Sequence, residues 1–272
     1  MTNDSVLNNG LKMPWLGFGV FQIDDGGSVE GAVRTALDVG YRSIDTAAIY
    51  KNEAGVGQAI KDSGIAREDI FLTTKVWNDA QRDNSVAQAF EDSLERLGTD
   101  YVDLYLVHWP VANCYEATWK EMEKIYQSGR AKAIGVSNFQ IHHLKDILAT
   151  AEVVPAVNQV EFHPRLRQPE LMKFCKDNKI QLEAWSPLMQ GHLGEESEIV
   201  ALAEKYGKSP AQIILRWDIQ HEVVTIPKSA TPSRIAENAQ VFDFELSQDD
   251  MAVLDALDQG KRFGPDPDTF DF

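Results

Sequence analysis

From Leu16 onward, short apolar or β-branched runs alternate with longer stretches in which apolar residues recur at helical spacing. This alternation predicts βα units and a parallel sheet. The candidate strands cover residues 16–19, 42–45, 70–76, 102–108, 133–137, 156–161, 181–185 and 223–226. Between or after them the pattern predicts helices at 29–39, 52–63, 85–97, 115–128, 141–149, 169–178, 209–220 and 232–239. Gly40, Gly64, Gly98 and Gly129 stand where helix C-termini need a left-handed residue. Eight such units predict a (β/α)8 TIM barrel. Before the first strand, Asn8-Asn9-Gly10 between apolar residues reads as a hairpin that caps one end of the barrel. Stretches 198–206 and 247–257 are two extra helices outside the wall.

The 272 residues suit one α/β barrel, which commonly uses about 250. No Pro/Gly/Ser linker, low-complexity tract or tandem repeat divides the chain, so residues 1–272 read as a single domain. A formal charge of −16 opposes phosphate backbones and anionic lipid, which argues against nucleic-acid and membrane partners. The opening segment lacks the basic and apolar regions of a signal peptide. Cys114 and Cys175 form neither a disulfide framework nor a metal-ligand spacing. A cytoplasmic monomer is the expectation.

In a parallel barrel the chemistry gathers at the carboxyl ends of the strands. Asp45 closes the second strand, Lys75 lies near the end of the third, and His108 closes the fourth. Ser137-Asn138, Gln159 with Glu161, Trp185-Ser186 and Lys228-Ser229 mark the fifth to eighth. Lys75 follows a β-branched run, so its stem is half-buried and wants a carboxylate, for which Asp45 is placed one strand away. A lysine beside a phenol lowers its pKa, which would make Tyr50 an acid-base group near neutrality. His108 can then orient a carbonyl oxygen by a hydrogen bond. Phe21, Trp77 and Trp109, each just past a strand end, line a substrate pocket with aromatic surface. The segment after Pro110 is short, so that pocket is expected to be open, and the aromatic tail from Gly264 to Phe272 can fold over it.

The run Gly40-Tyr-Arg-Ser-Ile-Asp45-Thr-Ala-Ala-Ile-Tyr50, with Asn52-Glu53 and Val56-Gly57, resembles the aldo-keto reductase signature. The likeness continues in residues 104–110, Ile134-Gly-Val-Ser137-Asn138-Phe139, Val157-Asn158-Gln159-Val-Glu161, and Ile226-Pro-Lys228-Ser229 with Arg234 to Asn238. Within that family the chain is most similar to short microbial members such as the 2,5-diketo-D-gluconate reductases and to protozoan prostaglandin F synthases. The resemblance implies a catalytic tetrad of Asp45, Tyr50, Lys75 and His108, and NADPH as cofactor. It assigns Val20, Ser137, Asn138, Gln159, Trp185, Ser186, Leu188 and Gln190 to the cofactor, with Trp185 stacking on the nicotinamide. Lys228, Ser229 and Arg234 form a set of donors suited to the 2′-phosphate that separates NADPH from NADH, at a helix start whose dipole favours an anion. Glu237 and Asn238 lie by resemblance towards the adenosine ribose and adenine.

Small aldehydes, α-dicarbonyls and keto-sugars such as 2,5-diketo-D-gluconate are the expected substrates. Two alternatives stay open: an NADPH-binding, non-catalytic regulatory subunit resembling the potassium-channel β-subunits, and a lyase or isomerase using Lys75 as a Schiff base. A Rossmann fingerprint is missing; Gly55-Val56-Gly57 lies in a helical stretch and lacks the third glycine. The histidines, His142-His143 included, show no metal-ligand constellation, and no metal is expected.

Overall fold

The computed structural model describes residues 3–270 and residue 272; Met1 and Thr2, part of the opening segment read for targeting, lie outside the described residues. A hairpin of β1 (Asp4–Val6) and β2 (Lys12–Pro14) comes first. Eight strands follow: β3 (Phe18–Gly19), β4 (Ser43–Asp45), β5 (Phe71–Val76), β6 (Val102–Val107), β7 (Ala131–Ser137), β8 (Val157–Glu161), β9 (Gln181–Trp185) and β10 (Val224–Thr225). They pair in parallel in chain order. Bridges from Leu16 to Thr225 and from Gly19 to Lys228 join the first strand region to the last and close the sheet into a barrel. Every residue of β5 and β6 is buried. Covered on both faces, such strands read as continuous apolar or β-branched runs rather than alternating ones.

The expected wall helices form at Gly27–Asp38, Glu53–Asp62, Val86–Leu97, Tyr115–Gln127, Ile141–Leu148, Pro169–Asp177, Pro210–Gln220 and Pro232–Asn238, and the two extra ones at Ser197–Tyr206 and Gln248–Asp255. Their ends differ from the sequence expectation by one or two residues, where helices fray. Helix Gly27–Asp38 buries Val29, Ala32, Val33, Ala36 and Leu37, the i, i+3, i+4 stripe of a helix lying on a core. Each large aliphatic side chain so buried contributes about 1.5–3 kcal/mol. Gly57 belongs to helix packing: a Cβ there would stand 2.1 Å from the Leu97 carbonyl oxygen. The short helix Asn78–Arg82 and the 3-10 turns Ala48–Tyr50 and Met189–Glu195 were not expected, being too short or too irregular to show a period.

The hairpin sits at the amino ends of the strands. Ser5 Oγ donates to Gln181 Oε1 at 2.6 Å, Asn8 Nδ2 to the Pro155 carbonyl at 3.0 Å and Asn9 Nδ2 to the Lys132 carbonyl at 2.9 Å. It plugs that end and leaves the carboxyl ends for the site. Among the described residues, no helix is long and apolar enough to cross a membrane.

Candidate active site

Lys75 is fully buried, and its ammonium donates to Asp45 Oδ1 at 2.6 Å and to the Thr46 carbonyl at 2.9 Å. Strand register does the placing, since Asp45 pairs with Thr73 and Lys75 projects two residues further along β5. Tyr50 ends the turn that follows β4, with the Lys75 Nζ 5.1 Å from its ring centroid. Buried Asn52 pins that turn: its amide donates to the Val20 and Ile23 carbonyls, and its Oδ1 accepts from Thr46 Oγ1. The His108 ring meets Tyr50 edge-on at 5.7 Å and Trp77 at 5.2 Å. The four residues read as a tetrad do converge.

Burial raises the Tyr50 phenol above its usual pKa; Lys75 opposes this by charge and hydrogen bonding without outweighing it. Lys75 thus acts in the expected direction, but burial outweighs it and the phenol is not brought towards neutrality. Most of the ammonium's charge is already answered by Asp45, and the dense surroundings penalise a phenolate. Tyr50 thus holds its proton at neutral pH. Burial pulls the Lys75 ammonium down, but Asp45 and Tyr50 carry it net above its ordinary value, and it stays charged. Burial, with help from Lys75, holds His108 well below the usual imidazole range, so its ring is neutral. Its Nδ1 has no partner among the described residues.

The residues assigned to the nicotinamide lie together but are mostly held by the protein. Ser137 Oγ donates to the Gln159 carbonyl at 2.8 Å, and Asn138 Nδ2 to the His108 carbonyl at 3.0 Å. Asn138 Oδ1 accepts from the Trp185 indole at 2.8 Å. Gln159 uses one amide N–H on Asp45 Oδ2, at 2.8 Å, and the other on Glu183 Oε2, at 2.9 Å. Only its carbonyl oxygen is left for a ligand. Val20 is a correction: its side chain is fully buried, its amide donates to Asp45 and its carbonyl accepts from Asn52, so it offers no free contact. Ser186 and Gln190 take left-handed backbone angles on either side of half-buried Leu188, which shapes the loop after β9. Lys228 and Arg234 are exposed, and in an acidic chain neither has an ion-pair partner among the described residues. Glu237 is exposed on the same helix and Asn238 buried at its end.

That donor set fits NADPH. Two unpartnered cations and a hydroxyl suit a phosphate monoester, and a half-buried indole fixed at its nitrogen suits a flat ring.

The aromatic wall is present and further covered. Phe21 lies 5.0 Å from the Tyr50 ring, Trp109 stacks on Phe270 at 4.4 Å, and Trp77 stacks on Phe272 at 6.1 Å. The segment after Pro110 is short as expected, but the space over Trp109 is not open, because the tail occupies it. Buried Glu161 anchors that tail by accepting from the Phe263 and Gly264 amides, at 2.6 and 3.2 Å. Gly264 is needed there, since a Cβ would stand 2.3 Å from Trp185 Cη2.

The tail also brings Asp268 to His142 and His143, so that one ligand atom from each lies within 4.8 Å of the others, beside a cavity of about 520 Å3. The sequence showed no such grouping, because Asp268 arrives from a distant segment. His143 Nδ1 accepts from the Gln140 backbone amide at 3.2 Å, so in the neutral ring Nε2 carries the proton; it stands 3.9 Å from Asp268 Oδ1, beyond hydrogen-bond reach. His142 Nε2 stands closer to that carboxylate, at 3.3 Å. Glu183 and Glu161 are the site carboxyls whose parts sequence reasoning missed; Glu183 carries no local motif, and only its place beside Gln159 in the register reveals it.

A protein-family model described as the aldo/keto reductase family matches residues 16–259. The chain is 58% identical over 266 residues to a glyoxal reductase of Bacillus subtilis, covering 98% of this chain and 96% of the relative. It is 50% identical over 276 residues to the methylglyoxal reductase DkgA of Escherichia coli, covering 99% of each. A crystal structure of a variant of Gox0644 in complex with NADPH superposes with a TM-score of 0.92 at 42% identity, covering 99% of this chain and 98% of that one.

Proposed function

The chain belongs to the aldo/keto reductase family and reduces aldehydes and ketones with NADPH; on that premise we propose that Tyr50 is the proton donor of a reductase for small α-dicarbonyls. The observation that carries the reading is the buried Lys75–Asp45 pair beneath Tyr50, with neutral His108 across from the phenol. NADPH, when bound, supplies the hydride that reaches the carbonyl carbon. Tyr50 gives its proton to the carbonyl oxygen as charge develops there, and the nearby Lys75 ammonium steadies the phenolate left behind. Asp45 keeps that ammonium in place. His108 holds the substrate oxygen by a hydrogen bond from its neutral ring.

Ser137, Asn138 and the free oxygen of Gln159 would meet the carboxamide, and Trp185 would lie along the ring. Ser186, Leu188 and Gln190 would follow the pyrophosphate and its ribose. Lys228, Ser229 and Arg234 would hold the 2′-phosphate, with Glu237 and Asn238 towards the adenosine. Phe21, Trp77 and Trp109 form the substrate wall. Phe270 stacked on Trp109 and Phe272 stacked on Trp77 occupy part of that wall, which, together with the glyoxal and methylglyoxal reductases among the relatives, supports two- and three-carbon dicarbonyls over bulky ketones. Those relatives also disfavour a non-catalytic subunit. A Schiff-base role for Lys75 is opposed by its raised pKa and its bond to Asp45.

The same reading takes residues 1–272 as one domain, supported by the single closed sheet, and the chain as a monomer. Large exposed apolar residues such as Val6, Val39, Val154 and Phe242 come from separate segments. The free thiols of Cys114 and Cys175 support a reducing cytoplasm. The deciding experiment follows NADPH oxidation with glyoxal, methylglyoxal, a keto-sugar, a quinone and a steroid ketone. The dicarbonyls should show the highest kcat/KM; a steroid preference would overturn the substrate reading.

A further inference from the structure

Asp45, Lys75 and Glu183 are all buried inside the barrel, where one ammonium faces two carboxyl groups. The Gln159 amide links the carboxyls, donating to Asp45 Oδ2 at 2.8 Å and to Glu183 Oε2 at 2.9 Å. Lys75 bonds the far oxygen of Asp45 and makes no bond to Glu183. Glu183 Oε1 has no partner among the described residues. A carboxylate with one bare buried oxygen is costly, whereas a neutral acid needs much less from its surroundings. From this geometry we infer that Glu183 is a positioning residue that sets how long Tyr50 keeps its proton as pH rises. The inference rests on the reading of Tyr50 as proton donor.

The groups facing Glu183 are Asp45 from β4, Lys75 from β5 and Gln159 from β8; its neighbour on β10 is the uncharged Val224. Burial first, and the Asp45 charge second, hold its carboxyl up to about 8. At neutral pH the site therefore carries one net carboxylate balanced by Lys75. Above that value Glu183 ionises, and the added negative charge raises both the Lys75 ammonium and the Tyr50 phenol. A phenol that is harder to ionise stays a proton donor to higher pH. Glu183 thus opposes loss of the Tyr50 proton in the range where that loss would begin, and it favours reduction over alcohol oxidation, which needs the phenolate. In both charge states it accepts from Gln159 and keeps that amide turned one way.

Glu183→Gln keeps the size and the accepting oxygen but removes the ionisation. The alkaline limb of kcat/KM for carbonyl reduction, and the rising limb for alcohol oxidation, should both move to lower pH by roughly half a unit or more. Ultraviolet difference titration of each protein against its Tyr50→Phe counterpart, without substrate, should place Tyr50 ionisation lower by the same amount. Superimposable profiles, or a shift to higher pH, would overturn the inference. If the variant does not fold, the infrared absorption of a protonated carboxylic acid answers the question in an Asp218→Asn background. Asp218 is replaced because burial raises its carboxyl as well. The band should be present at neutral pH and fade on passing to alkaline pH, and its absence at neutral pH would sink the inference. Retained turnover in Tyr50→Phe would instead sink the donor reading, whatever Glu183 does.

Discussion

The Trp185 indole donates to Asn138 Oδ1 at 2.8 Å across 47 residues of sequence, and the Asn138 amide in turn donates to the His108 carbonyl. One residue, its backbone held at a left-handed φ of 66°, ties the Trp185 indole to the strand end that carries His108. Gly264 presses on the same indole from the tail. Gly264→Ala should displace Trp185 and weaken NADPH binding about tenfold, with the Tyr50 machinery untouched. Fluorescence titration with NADPH measures this, and an unchanged Kd would show that Trp185 is not the platform.

Tyr50→Phe keeps the ring against Phe21 and His108 but removes the hydroxyl. Turnover should fall at least about 100-fold while NADPH affinity holds. Steady-state rates beside a binding titration separate the two effects.

Lys75→Met leaves Asp45 buried with Gln159 as its one remaining side-chain partner among the described residues. Breaking such a pair costs about 3–5 kcal/mol, which urea unfolding at neutral pH should register. The folded pKa of Lys75 lies above its ordinary value, so its contribution is full below that value and is lost as pH rises through the folded one. The stability gap between the chain and the variant should accordingly narrow at strongly alkaline pH.

His143 is held down to about 4, first by burial and then by His142. Protonating Nδ1 would also break the bond that it accepts from the Gln140 amide. A depressed histidine contributes stability above its ordinary value of 6.5 and loses it as pH falls through the folded one. His143→Gln should therefore remove about 1–3 kcal/mol of acid sensitivity between those two values. Parallel urea curves for the two proteins at neutral and acid pH, with an unchanged difference, would contradict this.

Arg234→Ala combined with Lys228→Gly removes both unpartnered cations beside Ser229. The Kd for NADPH should rise on the order of 100-fold and that for NADH by much less, because the second cofactor has no 2′-phosphate to lose. Equal affinity of the unaltered chain for the two cofactors would end this assignment.

The repeat of buried runs and amphipathic stretches was enough to recognise eight βα units, because burial on both faces of a parallel strand and on one face of a helix leaves a periodic trace in local sequence. Asp45, Lys75 and His108 were legible for a related reason: the barrel sends every strand's carboxyl end to one face, so polar residues there share a site whatever their separation. Tertiary structure alone decided the rest. The sign of the Tyr50 shift depends on how densely its surroundings exclude water, which no motif records. The silence of Val20 depends on Asn52 already occupying its carbonyl. The parts of Glu161, Glu183 and Asp268 depend on side chains meeting across 20 to 120 residues or more, where register and the path of the tail, rather than spacing, set the distance.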